Sequence, residues 1–291
     1  MKNKIALVTF LIFSGLLISC SPKAEESPWT WLSHQKPMYE MTTAEVDSFL
    51  PQLQEKFPNW DARLKALSLN RLGTVYDWHA IGDGCPPDTT PVFTVKKTNC
   101  TVQILTNEAL ALSRSYAQAE SLMAYIDYYP VPEGQNPVSY QNRVHFTYDR
   151  INTSRFFKDI TREIAGPSEL DSVHIILNRR KDGTHFLKIP FEKPVTAYYI
   201  PIQKVTKDLL KRLPPVCGVD FVRKKMWPLG IMIAHEGMVF NGDTLIHASS
   251  EAKKVVKQNF WNYLFRKDGT SAFDGVVFFK FIDVNKPQKQ K

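Results

Sequence analysis

The chain has 291 residues, of which 43% are hydrophobic and 23% charged, with 37 Lys and Arg against 29 Asp and Glu for a formal net charge of +8. That length is ample for one large domain with a sizeable core. The basic excess is scattered over short runs such as Lys96-Lys97 and Lys224-Lys225, which excludes a concentrated nucleic-acid-binding patch and leaves a basic exterior compatible with polyanionic envelope material.

In chain order, Met1-Lys2-Asn3-Lys4 and the apolar run Ile5 to Ile18 form a cationic start and a hydrophobic stretch too short for a comfortable membrane span, as in a secretory signal. Leu17-Ile18-Ser19-Cys20 resembles a bacterial lipobox, in which the cysteine is lipidated and becomes the mature N-terminus. The alternative is an ordinary signal with an incidental cysteine at position 20. The expected organisation is a signal over 1–19, a polar tether over 20–35, a single domain over 36–285 and a basic tail over 286–291. A monomer on the periplasmic side of the envelope follows, held by lipid on Cys20, with the outer membrane the favoured location.

Thr42 followed by Glu45, with Val46, Phe49, Leu50 and Leu53 at helical spacing, predicts a capped helix. A second helix is expected from Asp61, as its cap, to Leu69. Residues 71–98 turn to Gly, Pro, Asp and Thr, an irregular approach to Cys100. Asn99 can cap the helix that follows, with Ile104, Leu105, Leu112 and Tyr116 on its apolar stripe. The cysteine is then at a helix N-terminus, where free N–H groups and the dipole lower a thiol's pKa. Val144 to Tyr148, Val173 to Leu177 and His185 to Ile189 alternate like strands, and Pro201 to Leu213 suggests a short helix. Val219 to Arg223, Leu229 to His235, Thr244 to Ala248 and Gly275 to Ile282 read as four further strands, with part of Lys253 to Leu264 helical. Helices first and strands last predict an α+β fold with an antiparallel sheet.

Three cysteines follow Cys20. Cys85 (G-D-G-C-P-P) and Cys217 (P-P-V-C-G-V) both lie among prolines and glycines, as loop residues able to form a disulfide in an oxidising compartment; pairing them leaves Cys100 free, though spacing fixes no connectivity. The cysteines lack C-x-x-C pairing and His79, His145, His174 and His185 lack zinc spacing, so no metal or other cofactor is expected.

Gly73-Thr74-Val75-Tyr76, Asn99-Cys100-Thr101 opening a helix, Leu229-Gly230-Ile231-Met232-Ile233 and Leu245-Ile246-His247-Ala248-Ser249-Ser250 resemble, in that order, the NlpC-type papain-like cell-wall cysteine peptidases. Tyr140 to Thr147, Phe157 to Thr161 and Asn262-Tyr263-Leu264 add a closer resemblance to the bacterial N-acetylmuramoyl-L-alanine amidase-like branch. The resemblance implies a papain-like fold with the nucleophile's helix on a C-terminal antiparallel sheet, and thiolate hydrolysis of amide bonds in peptidoglycan stem peptides. It assigns Cys100 as nucleophile, Tyr76 and Asn99 as site-lining residues, and His247 to the position that orients the base. Arg143 either braces the fold or meets a substrate carboxylate.

The family's base usually opens its strand as His-Val-Gly-Ile, and Leu229 takes that place in this alignment. A hairpin symmetric about Met238 sets Leu229 opposite His247 and holds His235 about 20 Å away along the strand. Two arrangements then compete: a Cys100–His247 dyad with His247 as base, or a degenerate site that binds cell-wall material or a protein partner without cutting. An acyl-directed thiol hydrolase is a third expectation, because fold alone does not select a substrate.

Overall fold

The computed structural model describes residues 26–80 and 90–286. Cys20, Cys85, the signal, tether residues 20–25 and tail residues 287–291 lie outside the described residues, while the rest of the expected tether is folded, with Trp31 and Leu32 buried.

The chain begins with α1 (Pro28–Ser33), α2 (Thr43–Lys56) and α3 (Trp60–Asn70). The start of α2 is the expected capping box: the Thr42 N–H donates to Glu45 Oε2 at 2.6 Å, and the Glu45 N–H donates to Thr42 Oγ1 at 3.3 Å. The cap of α3 is Asn59, whose side chain accepts from the Ala62 N–H, so Asp61 falls in the first turn instead. Two short parallel strands, β1 (Val75–Tyr76) and β2 (Lys97–Thr98), lead into α4 (Cys100–Leu112), followed by α5 (Tyr116–Ile126). Every residue of α4 from Val102 to Leu112 is buried. Helix α4 is therefore an axis of the core, and any group at its first turn is held rigidly.

The expected strand over 144–148 does not form: 144–146 are irregular and Thr147-Tyr148 open α6 (Thr147–Thr153), which turns Tyr148, Arg150 and Ile151 inward. It is followed by β3 (Phe157–Asp159), α7 (Thr161–Ile164), β4 (Asp171–Leu177) and β5 (Lys193–Pro201). Of the expected strand 185–189 only an isolated bridge between Arg179 and His185 forms, because β4 pairs along its whole length with β5. The helix expected over 201–213 is reduced to α8 (Lys207–Leu210). The chain ends with β6 (Val216–Val222), β7 (Ile233–Phe240), β8 (Thr244–Ser249), β9 (Lys254–Asn259), α9 (Phe260–Leu264) and β10 (Gly275–Phe281).

All the strands join one sheet in the order β2-β1-β9-β8-β7-β6-β10-β5-β4, with β3 added to β10; apart from β1–β2 every pairing is antiparallel. The fold is α+β, as the order of elements predicts. Strand alternation divides the core. Met238, Phe240, Ile246 and Ala248 pack with α4 on one face, while Val239, Leu245, Phe221, Phe260 and Phe278 form the other. Where β6 and β10 meet, Phe279 occupies the space over Gly218: a Cβ there would stand 2.0 Å from the ring. Gly218→Ala is expected to lower stability by roughly 1–3 kcal/mol through overpacking, read as a reduced urea midpoint; an unchanged midpoint would show that this contact is not tight.

Candidate active site

Asn99 builds the start of α4: its side-chain oxygen accepts from the Val102 N–H at 2.9 Å and its amide donates to Trp78 O at 3.4 Å. Asn99 acts on the site as this cap. Cys100 is the first helical residue and is half-buried. Pairing of Tyr76 with Thr98 across β1 and β2 brings the tyrosine close to the thiol two residues further on. Burial raises the Tyr76 phenol to about 12, with the Cys100 sulfur and Asp77 adding to the effect.

The thiol does not have the low pKa that its helix position predicts. Burial, reinforced by the Glu236 carboxylate, pushes it up to about 11; the opposing effects of the Glu236 N–H and of Thr101 near the sulfur are smaller. Desolvation outweighs the dipole here.

Position 229 does not lie on a strand. Leu229 ends a 3-10 helix (Lys224–Leu229) that contains Pro228, and Gly230 follows in the left-handed region with φ +75°. A Cβ at Gly230 would meet Arg179 N at 2.5 Å, so the chain turns tightly against the end of β4. Proline withholds a ladder donor, and no strand forms there. Strand β7 starts at Ile233, with a bulge beside His235: Phe221 faces His235 while Val222 faces Ile233.

The β7–β8 register pairs Met238 with Ile246 and Phe240 with Thr244, so its continuation sets Gly237, not Leu229, opposite His247. A Cβ at Gly237 would come within 3.0 Å of His247 Cβ. His235 and His247 are thus diagonal neighbours on one face, and their ring nitrogens, Nε2 and Nδ1, are 2.7 Å apart. His247 Nε2 in turn lies 2.6 Å from the Gln258 side-chain amide on β9. Both nitrogens of His247 are engaged and the residue is 2% exposed, so it is not placed to take a proton from Cys100. His235 meets His247 through Nε2, and the residue after it, Glu236, turns its N–H toward the Cys100 sulfur. The run His235-Glu236-Gly237-Met238 repeats the His-x-Gly-aliphatic pattern, with Glu in place of Val. The degenerate-site expectation was argued from Leu229, which lies on the 3-10 turn before β7.

Phe221 stacks on His235 with centroids 5.5 Å apart, and Tyr263 from α9 packs at 4.7 Å from His247 and 6.3 Å from His235. This aromatic box desolvates His247, leaves His235 partly exposed and disfavours imidazolium. Burial holds His247 down at about 4 and His235 at about 3, the latter also through the neighbouring His247 and Arg223.

Beneath the thiol, on the α4 face, Glu236 accepts from Thr101 Oγ1 at 2.7 Å and from Thr147 Oγ1 at 3.1 Å, and is ion-paired with Arg150; both partners of the pair are 1% exposed. Asp220 faces Glu236 across β6 and β7. Burial raises the Asp220 carboxyl well above its ordinary value and Asp127 to about 8, so Arg150–Glu236 is the charged element of this cluster.

The remaining expected residues fall elsewhere. Arg143 is 4% exposed and lies 5.5 Å from the Tyr140 ring, bracing the fold and not presented to a ligand. Cys217 is no loop residue: it is a free, fully buried thiol inside β6. Among the described residues no cluster of three His, Cys, Asp or Glu could hold a metal, and no helix is long and apolar enough to cross a membrane.

The model of the AmiA-like family, described as N-acetylmuramoyl-L-alanine amidase-like, matches residues 66–270. The chain belongs to this family. The match spans the Cys100 helix and all three strands that carry His235, His247 and Gln258. Among solved structures, a Legionella pneumophila protein of the DUF1460 family aligns with a TM-score of 0.65 at 18% identity, over 84% of this chain and 96% of the other. An N-acetylmuramoyl-L-alanine amidase from Bacteroides uniformis aligns with a TM-score of 0.59 at 19% identity, over 77% of this AmiA-like chain and 99% of the other. No curated protein matches the sequence.

Proposed function

We propose that this AmiA-like protein is an exported, lipid-anchored cysteine hydrolase of the papain-like NlpC type that cleaves amide bonds in peptidoglycan stem peptides. The reading rests on one observation above all: His235, whose Nε2 meets His247 Nδ1, directly precedes Glu236, whose N–H faces the Cys100 sulfur. His235 Nδ1 takes the thiol proton as sulfur attacks the scissile carbonyl carbon. The oxyanion lies against the Cys100 N–H at the start of α4 and the Tyr76 hydroxyl. Collapse breaks the C–N bond, and the departing amine takes the proton from His235. Water, deprotonated by the same imidazole, then hydrolyses the thioester and restores the thiol.

The full chain and its Cys100→Ala variant, incubated with disaccharide-peptide muropeptides, test this by mass spectrometry. New amine-bearing fragments are expected from the native protein and only background from the variant; background from both sinks the reading. Metabolic labelling with palmitate tests the anchor, and label retained by Cys20→Ala would count against it.

A neutral thiol beside a neutral imidazole predicts an unusual pH profile. With His235 near 3 and Cys100 near 11, the competent protonation state persists between those values. A flat kcat/KM from about pH 5 to about pH 9 is therefore expected, since that ratio reports free-enzyme ionisations. An acid limb near 6.5 would show that His235 retains ordinary solvation.

A further inference from the structure

We propose that Gln258 is a positioning residue for the hydrolase reading above: through His247, its side-chain amide selects which nitrogen of His235 carries the proton. Strands β7, β8 and β9 set His235, His247 and Gln258 in a diagonal row, with contacts of 2.7 Å and 2.6 Å. Each neutral ring has one N–H and one lone pair, so each contact has room for one hydrogen, and the state of one end determines the other.

Two arrangements satisfy the row. If the Gln258 nitrogen donates to His247 Nε2, His247 donates from Nδ1 to His235 Nε2, and His235 carries its hydrogen on Nδ1. That nitrogen has no lone pair for a thiol proton. If instead the Gln258 oxygen accepts from His247 Nε2–H, His247 Nδ1 accepts from His235 Nε2–H, and His235 Nδ1 is a free base. When His235 takes the thiol proton, its Nε2–H still has an acceptor. A half-turn of the amide exchanges these states without altering the shape of the side chain. The structure has the Gln258 nitrogen turned to His247. The base-ready state is the one with oxygen turned inward, and Gln258 is the one member of the row that can present either atom.

The surroundings leave this choice to Gln258. Phe221 and Tyr263 cover the rings, and Arg223 from the β6 side opposes a second proton on His235. Among the described residues, no carboxylate is one of the groups that act on His247 or His235 in this box.

The test uses the full chain labelled with [15N]histidine at pH 8, comparing the native protein with Gln258→Glu, an acceptor only, and Gln258→Leu, which has neither a donor nor an acceptor. Gln258→Glu is expected to show His235 Nε2 protonated and Nδ1 as a bare nitrogen, whereas Gln258→Leu gives averaged signals for both rings. On muropeptides, kcat of Gln258→Leu is expected to fall about tenfold with KM unchanged, and Gln258→Glu to retain most of the rate. Ring-nitrogen signals identical in all three proteins, or equal loss of kcat in both variants, would overturn the proposal. Because the ring signals do not depend on turnover, native protein that cleaves nothing would defeat the hydrolase reading alone, and the spectra would still decide the role of Gln258.

Discussion

Substituting His235 by alanine is expected to reduce kcat/KM on muropeptides by about 10² to 10⁴, the usual contribution of a positioned general base. His247→Ala is expected to fall short of that loss, because the base remains and only its orientation and tautomer are released. Leu229→His should leave the rate unchanged, since position 229 lies on a 3-10 turn and not on the strand that carries the histidines. Comparing the three variants separates the relocated base from the position that the motif alignment suggests. A His235→Ala protein that retains native circular dichroism and activity within threefold would sink the assignment, as would a gain of activity in Leu229→His.

The second large effect is on stability. Arg150→Met is expected to destabilise the fold by about 3–5 kcal/mol, the range for a buried ion pair that loses one partner. Glu236 would be left beneath Thr101 and Thr147 without its cation, facing Asp220 across the strand pair. The double variant Arg150→Met with Glu236→Gln should recover much of the loss, because an amide can stay bonded to both threonines at no charge cost. Urea midpoints of the four proteins in this cycle give the coupling directly. Additive losses would show that the pair is not the element holding α6 to β7. Glu236→Gln carries its own signature: with the carboxylate removed, alkylation of Cys100 by iodoacetamide at neutral pH should quicken, because that charge is one of the causes of the raised thiol pKa.

Much of the frame was legible from local chemistry. Thr42 with Glu45 marks the start of α2, and Asn99 before an apolar period marks the start of α4, because capping needs only near neighbours in sequence. Position 235 was misread for a reason that the sequence also contained. Leu229-Gly230-Ile231 imitates a strand, but Pro228 argues against a ladder position there. Asn241-Gly242, both at positive φ, is the stronger hairpin signal; centring the hairpin on Gly242 and not on Met238 sets His247 beside Gly237 and brings His235 into reach. Gln258 was hidden because β9 buries only Val255 fully, and its polar run reads as a solvated helix. The Arg150–Glu236 pair and its effect on the thiol were not legible at all: they depend on α6 meeting β7, which no local pattern reports.

The relay of His235, His247 and Gln258 is carried by three successive strands joined by short turns, whereas Thr101, next to the nucleophile, meets Glu236 across a separation of 135 residues. Closing so long a loop is the slow part of folding, while a meander of neighbouring strands forms early. During synthesis Cys100 emerges well ahead of both histidines, and until β7 docks against α4 its thiol meets neither Glu236 nor the strand that carries His235. The surroundings of Cys100 are thus a late property of this chain, assembled only after the last third has folded, and a chain that lacks that third keeps the cysteine without them.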